Sequence, residues 1–221
     1  MKLSPLALLG VLVAAAPAAF ASSSAELTVK GTIKPGACTP SLGTGNVDFG
    51  TIAANTLNPD AHTALPVKNL NLSVACDANT RFALFSKDNQ EGSATSPSDG
   101  SLRSEGRAHG LGWSTGEEPK KIGHYLVEID PAQTTVDGST GYASASTDGG
   151  ETWGSAGSAS YISPSELLGF SPESGHNEGP APVKDLISVL NIKAHLAPSN
   201  ELDLSADLTL NGSAVIELQY L

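Results

Sequence analysis

Side chains able to do acid–base, metal or thiol chemistry are few in this chain, and their spacing limits what they can do. The five histidines, His62, His109, His124, His176 and His195, show no His-x-x-x-His or Glu-x-x-His spacing, so no zinc-type cluster is encoded locally. Alternation puts His195 on the wet face of a strand and leaves the others in or near loops. There is no Gly-x-Ser-x-Gly elbow, no phosphate-cradling glycine loop and no EF-hand spacing. The expectation is a protein without a catalytic residue, metal or cofactor, one that binds rather than catalyses. The two cysteines, Cys38 and Cys76, also lack a second ligand at zinc spacing, which leaves one disulfide or two free thiols.

The compartment bears on that choice. Lys2, an apolar run over residues 6–13 and Ala19-Phe20-Ala21 have the layout of a secretory signal peptide cleaved after Ala21. The run is too short to span a bilayer, which takes roughly 20 apolar residues, and no later stretch is longer, so no membrane span is expected. An exported chain meets oxidising conditions, where a pair of cysteines most simply means one disulfide. Without Lys2 the chain has 11 basic and 23 acidic residues, a net charge of −12 against −11 for the whole. That balance excludes nucleic acid and anionic membrane surfaces as partners, since both select cationic proteins.

One local motif is specific. Ser146-Thr147-Asp148-Gly149-Gly150-Glu151-Thr152-Trp153 resembles the Asp-box at every fixed position (Ser146, Asp148, Gly150, Thr152 and Trp153). Such a motif stabilises its own hairpin: the aspartate accepts backbone N–H groups, the glycines permit tight dihedrals, and the tryptophan lids the turn. Asp-boxes are familiar from sialidases and other glycan-handling β proteins, usually in several copies. Here there is one copy, and Arg81, Arg103 and Arg107 make no set suited to a sialic-acid carboxylate. Trp113, Tyr142 and Tyr161 are candidate ligand-contact aromatics; they serve equally well as small cores for the loops that carry them.

The elements that would position these residues are strands. In 201–210, Leu202, Leu204, Ala206, Leu208 and Leu210 fall on one face and polar residues on the other. Asn211-Gly212 is a turn pair, and Ala214, Ile216, Leu218 and Tyr220 resume the alternation, predicting a C-terminal hairpin. Further strands are predicted at 27–33, 70–76, 82–84, 125–129 and 190–196. Ser163, Pro164 and Glu166 read as the start of a short helix stopped by Gly169. Residues 22–221 thus form a single all-β domain, an antiparallel β-sandwich with Gly/Ser-rich excursions at about 88–118 and 138–179.

Leu27-Thr-Val-Lys-Gly-Thr-Ile33, Cys38, Val47-Asp-Phe-Gly-Thr-Ile52 and Leu70-Asn-Leu-Ser-Val-Ala-Cys76-Asp77 resemble the opening of bacterial fimbrial subunits. The pattern is closer still to a family of exported bacterial proteins of unknown function that share it, and Tyr220 matches the penultimate tyrosine of fimbrial terminal strands. The resemblance implies an immunoglobulin-like, pilin-like sandwich with Cys38 bridged to Cys76, in the periplasm or on the cell surface. It implies a periplasmic chaperone or other fimbrial-type subunits as partners, through a groove filled by a neighbour's strand, and a role in cell adhesion. With about five residues between Ala21 and Leu27, no separate donor stretch precedes the first strand. A self-complete protein, a chain-terminating subunit or another use of the fold follows. The alternative is a soluble periplasmic glycan- or ligand-binding protein using the Asp148 excursion, and a glycoside-acting enzyme comes third.

Overall fold

The computed structural model describes residues 25–32, 36–96, 106–156, 160–175 and 178–221. The signal-peptide reading, and His176, Arg103 and Ile33, lie outside them. Contacts divide the chain into a unit up to Lys34 and a unit Pro35–Leu221. In the first, 25–32 contain no strand, contrary to the strand expected over 27–33. Leu27 and Val29 alternate correctly but are 87% and 86% exposed, so neither has an apolar surface to cover.

The regular elements of the second unit are strands in antiparallel pairs, with three short 3-10 turns between them. They are β1 (Cys38–Leu42), β2 (Thr63–Ala64), β3 (Lys68–Thr80), β4 (Phe82–Asp88), β5 (His109–Gly110), β6 (Gly123–Ile129) and β7 (Thr135–Val136). Then come β8 (Ser139–Thr140), β9 (Tyr142–Ser146), β10 (Gly154–Ser155), β11 (Ser160–Tyr161), β12 (Leu167–Ser171), β13 (Val183–Leu196) and β14 (Ala214–Tyr220). One sheet runs β1-β3-β13-β6-β11, with β2 and β7 also on β13, β5 on β6 and β8 on β7; the other runs β10-β9-β12-β4-β14.

Period-two burial builds the core. Leu72, Val74 and Cys76 of β3 and Leu186, Leu190 and Ile192 of β13 point inward from the first sheet. Leu84, Leu168 and Phe170 meet them from the second. Cys38 and Cys76 sit opposite each other in the β1–β3 ladder and are disulfide-bonded, as expected from the sequence. No described helix is long and apolar enough to cross a membrane.

Three expectations need correction. Residues 138–179 are no excursion: β9 and β12 lie within the second sheet, where Leu168 pairs with both Ala145 and Leu84. The helix after Ser163 is absent, because Leu167–Ser171 is claimed by that sheet and Glu166 turns in to pair with Arg107 at 2.7 Å. The C-terminal hairpin does not form either. Residues 214–220 pair with β4 instead, and Ala214 already lies opposite Asp88, the last residue of β4. Residues 202–210 therefore run past the end of β4, and they enter no ladder.

Candidate functional site

The two sheets part along one side. β1 is the edge of the first sheet and β14 the edge of the second. At one end the gap is closed, where the Cys38 N–H donates to the Tyr220 hydroxyl at 2.9 Å. Beyond that point the chain leaves β1 into residues 44–52, which are without helix or strand, as are 203–210 on the facing side. Both segments still carry half-buried apolar side chains between exposed ones. Val47, Phe49 and Ile52 are half-buried with Asp48 and Thr51 exposed between them; Leu204, Leu208 and Leu210 are half-buried with Asp203, Asp207 and Thr209 exposed.

Between them lies a slot with apolar and polar walls. One part, a hollow of about 240 Å³, has Leu42, Val47, Tyr125, Ile192 and Ile216 among its walls. The other, about 620 Å³, is lined by Ile52, Leu57, Ile122, Leu204 and Leu208, and both share Val47, Phe49 and Leu210. Its floor is the core itself. Backbone groups that enter no ladder on both flanks, over an apolar floor, form a template for one added strand.

Beneath the slot is a buried polar pair. His109 is fully buried, its Nε2 lies 2.7 Å from Ser86 Oγ, and its ring stacks on Tyr125 at 4.9 Å. Burial lowers the His109 pKa and raises that of Tyr125, while Asp88 works to raise both. A serine–histidine pair closed to solvent can hold strands together; a substrate cannot reach it.

The Asp148 turn lies elsewhere, after β9. Ser146 Oγ donates to Asp148 and accepts from the Gly150 N–H, Thr152 donates its N–H and hydroxyl to Asp148, and Trp153 Nε1 donates to the Gly150 carbonyl. These donors, the Ser146 hydroxyl first, hold the exposed Asp148 carboxyl well below the usual carboxylate range. Gly149 and Gly150 have φ of +78° and +99°, which other residues adopt with strain. The turn spends its hydrogen-bonding capacity on itself.

The candidate aromatics are not brought together. Trp113, 46% exposed, bridges to Lys121, whose ammonium lies 5.7 Å from its ring. Tyr161 faces Arg107 across 5.7 Å. Tyr142 lines a cavity of about 130 Å³ with Ser144, whose buried hydroxyl has no described partner. Three histidines do come together, against the expectation of wet or loop positions: His124 on β6 stacks on His195 of β13 at 5.0 Å and meets His62 edge-on at 5.3 Å. His195 and His124 are opposite in the β6–β13 ladder, a register that no spacing in the chain reveals. Among the described residues no group of three or more His, Cys, Asp or Glu side chains could hold a metal ion.

Residues 27–116 match the model of a family described as protein of unknown function (DUF1120). Over nearly the full length, the chain is similar to two proteins of Escherichia coli (strain K12). With the uncharacterized protein YhcF it shares 27% identity, covering 93% of this chain and 94% of that protein. With the protein GltF the identity is also 27%, covering 90% of this chain and 89% of that protein.

Proposed function

We propose that this is an exported, fimbria-like binding or structural protein of the periplasm or cell surface, without catalytic activity, that works by taking an extended strand into its open slot. One observation carries the reading: 44–52 and 203–210 face each other across the slot, both outside any ladder and both with half-buried apolar side chains along it. A strand laid between them would satisfy both backbones and cover Val47, Phe49, Leu204 and Leu208 at once. The signal-peptide pattern and the disulfide support export.

The chain also carries a segment of the right kind. Leu27 and Val29 are exposed and alternate with Thr28 and Lys30, and a lysine follows at position 34. The slot's polar rim is acidic, with Asp48, Asp203 and Asp207 exposed. The segment expected to be the first strand of the sandwich thus suits the donor role for a neighbouring subunit, which removes the need for a separate stretch upstream. Light scattering on the mature protein tests this. Oligomers that dissociate when residues 22–34 are deleted, or when Phe49 is replaced by Asp, support the reading; a monomer that neither binds a 25–34 peptide nor changes on deletion refutes it.

A second reading, glycan binding, is favoured by the hydroxyl-rich cavity beside Tyr142, where Ser144 is buried without a described partner. Tyr142→Ala would then abolish retention on a neutral-sugar array with an unchanged melting temperature. No retention of the parent protein would dispose of it.

A further inference from the structure

We propose that the slot is one-sided: an incoming strand makes its ladder with the free edge of β14, while β1 is blocked against it and Tyr220 fixes where the strand ends. The inference rests on the slot reading above and adds to it the pairing edge, the direction and the stop.

Along an antiparallel strand every second residue turns its N–H and C=O to one neighbour, and the residues between turn theirs away. The two ends of β1 fix the phase. The Ala37 carbonyl accepts from the Asp77 N–H at 2.9 Å, and the Gly43 N–H donates to the Asn71 carbonyl at 2.9 Å. Odd-numbered residues therefore bond to β3, and the backbones of Cys38, Pro40 and Leu42 turn to the slot. Of these three, Cys38 already has its N–H on the Tyr220 hydroxyl at 2.9 Å, and Pro40 has no N–H. Leu42 alone keeps a donor. A proline and a filled donor on an edge strand both hinder the addition of another strand.

The same phase argument on β14 gives an unprotected edge. The Ser213 carbonyl accepts from the Asn89 N–H at 2.9 Å, and the Leu221 N–H donates to the Arg81 carbonyl at 3.1 Å. Odd-numbered residues again bond inward, here to β4, so Ala214, Ile216 and Leu218 turn their backbones to the slot. Their three N–H and three C=O groups have no partner among the described residues. Tyr220, next in the series, reaches across the gap to Cys38. One side chain thus closes the end of the slot and occupies the first donor of the opposite edge.

The occupant is residues 25–34 of a second copy. Leu42 and Ile216 line the hollow nearer the closed end, and Asp48 and Asp207 line the one beyond it. The segment is apolar first and basic later, with Leu27 and Val29 ahead of Lys30 and the lysine at position 34. Placing its lysines by the aspartates and its apolar residues by Ile216 sets its N-terminal end at Tyr220. It then runs antiparallel to β14.

Residue-resolved amide exchange by NMR on the monomeric mature protein, with and without a peptide of residues 25–34, tests the pairing. With peptide bound, the Ala214, Ile216 and Leu218 amides should slow about tenfold or more, and the Leu42 amide should not change. Val215 and Glu217, already in the β4 ladder, should be slow in both states. Protection that reaches Leu42, or that misses the β14 amides, would overturn the inference and leave the slot reading standing. A peptide that does not bind overturns both. The stop is tested by Tyr220→Phe, which should speed Cys38 amide exchange about tenfold in the free protein. A peptide lengthened to residues 22–34 should gain nothing on the parent and bind the variant about threefold more tightly. An unchanged Cys38 rate, or an equal gain on both proteins, would remove Tyr220 from that role. Should the variant not fold, the parent decides: a gain from the longer peptide contradicts the stop, and no gain supports it.

Discussion

The two long sides of the sandwich are built by opposite rules. On one, β9 and β12 run deep in the second sheet, the Asp148 turn caps β9 with its own hydrogen bonds, and Leu168 and Phe170 are fully buried. On the other, 44–52 and 203–210 leave Phe49, Leu204 and Leu208 half-covered beside a hollow. Both sides carry apolar side chains. What separates them is a neighbouring strand that completes the ladder, and among the described residues the open side has none.

Replacing residues on each side should expose the contrast. Phe170→Ala on the closed side opens a cavity in packed core and should cost about 3–5 kcal/mol in denaturant unfolding. Cys38→Ser removes the bridge that ties the edge strand β1 to β3 and should cost about 3 kcal/mol by the same measurement. Phe49→Ala on the open side should cost only about 1 kcal/mol, since half its contacts are missing already, yet weaken strand binding at least tenfold. Equal costs for Phe49→Ala and Phe170→Ala would erase the distinction.

The smallest effect belongs to Asp148→Asn, which should lower the melting temperature slightly at neutral pH. The Asp148 carboxyl is held below its ordinary range, so its contribution is complete above the unfolded pKa of roughly 4 and fades as pH falls through the depressed folded value. The gap between parent and variant should therefore narrow in acid. A gap that widens there would show that the carboxylate is not the stabilising form.

The chain's own pattern made the all-β class, the strands at 70–76, 82–84, 125–129 and 190–196, and the cysteine pairing legible, because each rests on period-two burial or on compartment. What misled was alternation without knowledge of the partner. Leucines at 202–210 look the same whether they close a hairpin or line a slot, since the period reports which face is apolar and not which strand lies beside it. Gly and Ser in 138–179 suggested loops, yet Gly169 belongs to β12, where an added Cβ would sit 2.7 Å from Pro180. The His62–His124–His195 stack needed the β6–β13 register, which is set by tertiary pairing.

The most direct test of the strand-accepting slot is backbone hydrogen exchange of the monomeric protein, with and without a synthetic peptide of residues 25–34. The slot predicts fast exchange over 44–52 and 203–210 in the free protein and strong protection of both when the peptide is bound, with Tyr142–Ser146 unchanged. Protection of both segments in the free monomer, or no change on adding peptide, would contradict it.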